Sequence, residues 1–463
     1  MSAIFPSGPV TDLMDKLPFH VMRALQAASG AARDAASFAE QETRDGLAAW
    51  AHTIVAMTPW MAANPWVAGC LGRRRESIPQ LARRRASRAS AWLLLKAGAL
   101  DRQARKGFGI RLDDGRWWKL AETPRVELWL PQRFDSDRAT AVPLAMVPPM
   151  VLDPGVLAWD DRQSFVHYMS AHGVPTAVIM NKDIRTTEAV QVMSPEEFIL
   201  DCREMGIALG RHFEGTQIVF GGYCQGAEMA LRALATGKMK GVAHAGLLGV
   251  APVDPTDVGT LYDNHKHLFE GTTLDQSCTT MPSGNPVVDG DTMRKVINYG
   301  NPETNNPVSE TIRELQLCGD GIPKESGLVM WYWLNRTVPL PPKIIALTNK
   351  GYESPMVDGV YGYEVFGERP DLKRLGEHGV GHLFVGTALR DTLVKQEASA
   401  KLVTILRGFV DVHLCQYDKG HLGMVRECAR ERSDEPLDGR SRLGHEGPIL
   451  WYRRVIRRKP LEA

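Results

Sequence analysis

The chain has 463 residues, 44% of them hydrophobic, with 55 Lys and Arg against 54 Asp and Glu. Balanced charge argues against a globally basic nucleic-acid-binding surface, while the length and apolar content allow a sizeable core and two or three domains. The seven cysteines, Cys70, Cys202, Cys224, Cys278, Cys318, Cys415 and Cys428, are odd in number and form no C-x-x-C pair. A disulfide framework and a structural zinc site are therefore not expected; no metal is assigned, and a reducing cytoplasmic location fits.

In chain order, residues 1–105 read as a helical N-terminal region, with Ala-rich stretches at 24–39, 48–56 and 82–99. Its start carries scattered polar residues rather than a basic-then-apolar run, so no signal peptide is expected. The stretch Ala49 to Leu71 is interrupted by Pro59 and Pro65 and carries His52 and Asn64, so no transmembrane helix is expected there. Arg73, Arg74, Arg75, Arg83, Arg84, Arg85 and Arg88 make a basic cluster. It reads as a solvated helical face, or as a surface for an anionic partner.

From Glu127 the pattern becomes alternating strands and helices. Val142 to Val147 is an apolar strand ending at Pro148-Pro149, Asp161 to Ala171 a helix, and Thr176 to Met180 a buried strand. Ser194-Pro195-Glu196-Glu197 reads as a helix start: a Ser cap, Pro at the first helical position and Glu at the capping-box position. Ile218 to Phe220 is the next strand, broken at Gly221-Gly222 and followed at once by a helix through Met229 and Leu231. Gly246 to Val253 is a further strand. Residues 255–340, rich in Pro, Asn, Gly and Thr, read as a cap inserted over the carboxyl edge of the sheet. Alternation resumes with a strand at Gly381 to Gly386, a helix at Val394 to Arg407 and a strand at Phe409 to Cys415. The fold class is α/β, with a mostly parallel sheet wrapped by helices in residues 106–428. Residues 429–463 read as a charged C-terminal tail, exposed over Arg430 to Arg442.

The strand–turn–helix at Gly222-Tyr223-Cys224-Gln225-Gly226 is a G-x-C-x-G nucleophile elbow with Cys in place of the commoner Ser. A small buried core cysteine is the bland reading of Cys224. As a nucleophile it needs a base, and the base an orienting acid, in the chain order nucleophile, acid, His. His421, in the turn after the last strand, is the candidate base. Asp391, after the strand ending at Gly386, is the candidate acid, with Asp358, Asp371 and Asp411 as competitors. Gln225 at the helix N-terminus offers one oxyanion-hole N–H, and Met150 or Val151 the second. A cysteine elbow leans toward acyl-thioester substrates, because thioester exchange is close to thermoneutral.

These motifs resemble those of polyhydroxyalkanoate synthases, members of the α/β-hydrolase superfamily. Gly222 to Gly226 resembles that family's G-Y-C-x-G box, Pro143 to Pro149 its PLLIVPP strand, Val253-Asp254-Pro255-Thr256-Asp257 its acidic segment before the cap, and Gly420-His421-Leu422 its S-G-H-I loop. The resemblance spans about residues 107–426. It implies an α/β-hydrolase fold and an acyltransferase in which Cys224 carries the growing chain, His421 is the base and Asp391 its partner. The implied substrates are 3-hydroxyacyl-CoA and a polyester chain, with acyl-CoA as substrate and no cofactor. The implied associations are a homodimer and a granule surface. The chain departs from the family pattern at Trp333 to Pro339, where an aspartate is absent, at Ala227, and in the acid loop Gly386 to Val394. Two other functions stay open: a Cys-dependent ester or lactone hydrolase, as in the shorter dienelactone hydrolases, and a non-catalytic synthase relative.

Overall fold

The computed structural model describes residues 116–131, 142–151, 154–158, 164–253, 277–290, 292, 337–391, 393–426 and 435–462. The N-terminal helical region, its arginine cluster and most of the cap expected at 255–340 lie outside the described residues.

Ten strands are described: β1 (Trp117–Glu122), β2 (Val126–Pro131), β3 (Leu144–Val147), β4 (Thr176–Asn181), β5 (Ile218–Tyr223), β6 (Ala243–Gly249), β7 (Cys278–Thr280), β8 (Pro286–Val288), β9 (His382–Ala388) and β10 (Asp411–Tyr417). Eight form one sheet in the order β1-β2-β4-β3-β5-β6-β9-β10, and β7 and β8 make a separate hairpin. The pairs β1/β2 and β2/β4 are antiparallel; every pair from β4 to β10 is parallel. The parallel strands β3 and β6 are buried along their whole length. That is why β3 reads as a continuous apolar run rather than an alternating one. An antiparallel start, a β3/β4 swap and a parallel run to the last strand make this the α/β-hydrolase fold.

The described helices are α1 (Phe165–Ala171), α2 (Glu188–Gln191), α3 (Pro195–His212), α4 (Gln225–Ala235), α5 (Pro342–Glu353), α6 (Gln396–Leu406), α7 (Gly423–Arg426) and α8 (Pro448–Val455). Helix α3 begins at the expected capping box. Ser194 Oγ accepts from the Glu197 N–H at 3.2 Å, and the Ser194 N–H donates to Glu197 Oε2 at 2.8 Å. The Arg125 guanidinium forks onto both Asp201 carboxylate oxygens at 2.6 and 3.1 Å, tying the β1–β2 turn to this helix.

Four expectations are corrected. The strand through Ile218 does not break at Gly221-Gly222. It runs on to Tyr223, because Gly221 lets β6 approach so closely that a Cβ there would lie 2.1 Å from the Leu247 carbonyl oxygen. The strand expected at Gly246 to Val253 is Ala243–Gly249, since the chain turns at Val250, which takes φ 44°. Helix α1 starts at Phe165, capped by Ser164, whose hydroxyl accepts from the His167 N–H at 3.1 Å.

The fourth concerns the C-terminus, where the segment from Glu435 to Arg442 is not exposed throughout and a later helix is packed into the fold. Glu435, Leu437, Ile449, Trp451 and Tyr452 are all buried. Tyr452 donates to the Val142 carbonyl at 3.0 Å, and Trp451 packs on Phe384 with ring centroids 5.4 Å apart. The Gln217 N–H donates to the Lys459 carbonyl at 2.7 Å, so the last residues run along the start of β5. Charged neighbours, Arg453-Arg454 and Arg457-Arg458, hide a short apolar stripe at Ile449, Trp451 and Tyr452.

Candidate active site

β5 delivers Cys224 to the carboxyl edge of the sheet, and α4 leaves from the next residue. Cys224 takes φ 53° and ψ −125°, outside the helix and strand regions. A non-glycine residue held there stores about 1–3 kcal/mol of strain, and such residues cluster at functional sites. The surrounding lattice over-determines it. The Cys224 N–H donates to the Gly249 carbonyl at 2.8 Å, and its own carbonyl accepts from Ala227 at 2.9 Å and Glu228 at 3.1 Å. The two flanking glycines are required by contact. A Cβ on Gly222 would lie 2.3 Å from the Gly226 oxygen, and one on Gly226 would lie 2.1 Å from the Val147 oxygen.

The candidate acid and the candidate base arrive on adjacent parallel strands. β9 and β10 pair residue for residue to Ala388 and Tyr417, and the pairing continues through Leu389 N–H to the Tyr417 carbonyl and Arg390 N–H to the Lys419 carbonyl, both 2.9 Å. The Arg390 guanidinium also grips the Asp418 carboxylate at 2.7 and 2.6 Å. Within this frame His421 Nδ1 lies 2.7 Å from Asp391 Oδ2. The other carboxylate oxygen of Asp391 accepts from the Leu393 and Val394 N–H groups at 2.8 and 3.0 Å, so the acid is aimed by its own loop. The Cys224 sulfur lies close enough to His421 to favour its charged form. The structure thus brings Cys224, His421 and Asp391 together, with the Asp391 and His421 side chains only 1% and 7% exposed.

The three competing acids lie in other arrangements. Asp411 sits at the opposite end of the sheet against His382, at 3.1 Å. Asp371 caps a short 3-10 turn, accepting from the Lys373 N–H at 2.9 Å, and Asp358 pairs with Lys373.

Burial opposes charge on both members of the Asp–His pair. It would raise the Asp391 carboxyl, but the His421 imidazolium and the Leu393 and Val394 N–H groups outweigh it and hold the carboxyl below its ordinary range. Burial likewise works against a charged His421. The Asp391 carboxylate and the Cys224 sulfur outweigh that and lift the imidazole well above its ordinary value. The arrangement favours an imidazolium once the thiol proton has moved.

Sequence reading assigned no role to Tyr223. It is fully buried, its hydroxyl donates to the His421 carbonyl, and its ring centroid lies 5.5 Å from the imidazole. Residues 223 and 421 are far apart in sequence, so only the position of Tyr223 beside the elbow cysteine could have signalled it.

The oxyanion-hole candidates converge on the elbow. Gln225 is the first residue of α4, where N–H groups lack an intrahelical acceptor. Met150 and Val151 are buried at the end of the segment after β3, and the Val151 N–H donates to Gln225 Oε1 at 3.3 Å. The Val151 carbonyl accepts from the Val338 N–H at 3.1 Å. Met150 makes no described bond to the elbow, so Val151 is the better placed of the two. The described parts of the expected cap are the β7–β8 hairpin, held through Ser283 and Asn285 on Gln191 Oε1 at 2.5 and 3.1 Å, and the return segment from Thr337. Among the described residues, no group of three or more His, Cys, Asp or Glu could hold a metal ion, and no helix is long and apolar enough to cross a membrane.

No protein-family model matches the sequence, and no curated protein does. Solved structures do match in chain path. A carboxylesterase structure from the thaumarchaeon Nitrososphaera gargenis aligns at 12% identity over 67% of this chain and 92% of that one, with a TM-score of 0.38. The esterase RhEst1 from Rhodococcus sp. ECU1013 aligns at 10% identity over 67% and 94%, also at 0.38. A thioesterase domain from the curacin biosynthetic pathway aligns at 11% identity over 68% and 95%, at 0.36.

Proposed function

We propose that this chain is a cysteine-dependent acyl-enzyme catalyst of the α/β-hydrolase type. The observation that carries the proposal is the chain of contacts from Asp391 through His421 to Cys224 at the strained elbow. In the first step the Cys224 thiol proton passes to His421, and the sulfur attacks the donor carbonyl carbon. The C–S bond forms as the carbonyl π pair moves to oxygen, where the Gln225 and Val151 N–H groups receive it. The intermediate then collapses, the bond to the leaving group breaks, and the leaving group takes the proton from His421. In the second step an acceptor O–H gives its proton to His421 as its oxygen bonds to the acyl carbon; the intermediate then collapses, the acyl C–S bond breaks, and the sulfur takes the proton from His421 to regenerate the thiol.

With water as acceptor the chain is an ester, thioester or lactone hydrolase, and this is the reading the fold supports most directly. A second reading has one specific support, the thiol nucleophile itself. Exchange of one thioester for another is nearly thermoneutral, so a 3-hydroxyacyl-CoA donor suits Cys224, and a polyester hydroxyl would be the acceptor of a synthase-type transferase. A homodimer and a granule surface as partners belong to this second reading.

Thiol release from 3-hydroxybutyryl-CoA, with and without an oligomeric alcohol, separates these readings. Release with free acid alone supports the hydrolase, and release with polymeric product supports the transferase. A folded protein that releases no thiol and leaves activated esters intact overturns the proposal in favour of a non-catalytic relative.

A further inference from the structure

The donor that should receive the substrate oxyanion is already engaged. The Val151 N–H donates to Gln225 Oε1 at 3.3 Å. The identity of that oxygen follows from chemistry, since a backbone N–H requires an acceptor and the amide nitrogen of Gln offers none. The contact is built in from both sides. The Val151 carbonyl is fixed by the Val338 N–H at 3.1 Å, which limits rotation of that stretch of backbone. Gly226 seats the start of α4 directly on the Val147 and Pro148 carbonyls, so the Gln225 side chain springs from a point that cannot draw back. Gln225 is half-buried beside Cys224, which leaves its carboxamide room to move where a fully packed side chain would have none.

We propose that the Gln225 carboxamide is a gate on the acyl-oxygen subsite, its Oε1 standing on Val151 in place of the substrate carbonyl oxygen until an acyl donor displaces it. The inference rests on the acyl-enzyme reading above and deepens it, by naming a residue that selects among donors. Displacement exchanges one neutral N–H···O bond for another, so the gate costs little to open for a carbonyl that fits the subsite. An acyl donor whose carbonyl cannot reach Val151 leaves the gate shut, and Cys224 then faces it without the second oxyanion donor. Selection therefore falls on carbonyl placement, before chemistry, and applies to ester and thioester donors alike.

The test compares full-length wild type with Gln225→Met, Gln225→Ala and Gln225→Glu. The readout is the pre-steady-state acylation rate with p-nitrophenyl butyrate against ester concentration. Met keeps the length of the side chain and removes the carbonyl. It is expected to raise the acylation kcat/KM about three- to tenfold, mostly through KM, which is the size of one neutral hydrogen bond. Ala, which cannot reach Val151, should act in the same direction and covers the case in which Met disturbs the fold. Glu presents a carboxylate that accepts the Val151 N–H more strongly and repels the oxyanion. It should slow acylation about 10- to 100-fold near neutral pH, and its rate relative to wild type should recover as pH falls and the carboxyl protonates. Unchanged rates in both Met and Ala, or a tenfold loss in both, would overturn the gate, the loss by showing that the carboxamide itself assists the oxyanion. A wild type that is never acylated would instead sink the proposed function, so the two failures are distinguishable.

Discussion

Removing the Tyr223 hydroxyl leaves its ring packed and strips the His421 carbonyl of a buried donor. Tyr223→Phe is expected to lower stability by about 1–3 kcal/mol, as for any buried acceptor left unsatisfied, and to slow acylation about tenfold by loosening His421. Urea denaturation and burst kinetics on the same preparation check both. Asp391 acts on charge as well as position. Asp391→Asn takes away a carboxylate that raises the His421 imidazole, so the imidazole should titrate at lower pH than in wild type, and acylation should fall by about two to four orders of magnitude. Proton NMR of the imidazole gives the first result and acylation kinetics the second; an unmoved titration would show that Asp391 is not its charge partner. These two residues also mark what sequence could reach. The order of elbow, acid and His, each after its strand, singled out Cys224, Asp391 and His421, which the structure places side by side; their catalytic roles remain the proposal. Tyr223 was not legible as a support, since its partner is a backbone carbonyl, which no residue pattern encodes.

Helix α4 carries the elbow and is anchored by an ion pair that its sequence conceals. Glu228 and Arg232 are one turn apart and almost fully buried, with the guanidinium carbon 5.8 Å from the Tyr361 ring centroid and 5.2 Å from that of Tyr363. At this spacing such a pair ordinarily reads as a solvated helical face. Its burial follows from the segment 361–363 packing over the helix, a contact between distant parts of the chain. Glu228→Gln leaves the guanidinium buried with its counter-charge gone and should destabilise the protein by about 3–5 kcal/mol. Equilibrium unfolding in urea measures this, and a change below about 1 kcal/mol would mean that solvent reaches the pair. Strand boundaries slipped for a related reason. Gly221 and Gly222 read as a break because glycine is poor in isolated strands, yet here they are the residues that let β5 lie close against β6 and α4.

At the scale of the molecule, the two ends of the sheet differ in chemistry. The carboxyl ends of β5, β9 and β10 hold the candidate site, while the opposite end holds His244, which is 1% exposed and has, among the described residues, no hydrogen-bond partner on either ring nitrogen. Burial first, then the nearby Lys459 and His382 charges, push its imidazole down to about 4. In the unfolded chain His244 takes a proton below about 6.5, whereas in the folded chain it does so only near 4. The unfolded state therefore binds more protons across that window, and stability falls as pH drops from about 6.5 to about 4. At about 1.4 kcal/mol per pH unit the loss is of the order of 3 kcal/mol. His244→Leu should flatten that part of the stability profile, measured as urea midpoints between pH 7 and 4; an unchanged slope would assign the acid sensitivity elsewhere. The C-terminal helix belongs to the same scale. Trp451 is fully buried against β9, so Trp451→Ala should cost about 3–5 kcal/mol, where a residue on an exposed tail would cost almost nothing.

If Cys224 carries the acyl group, the mass of the trapped enzyme shows it. Full-length protein is mixed with p-nitrophenyl butyrate or 3-hydroxybutyryl-CoA, quenched in acid within the burst phase, digested and mapped. One acyl group per chain is expected, on the peptide containing Cys224 and on no peptide carrying another cysteine, with the adduct lost in Cys224→Ala. Turnover with the adduct on a different residue, or turnover that survives in Cys224→Ala, would contradict that assignment.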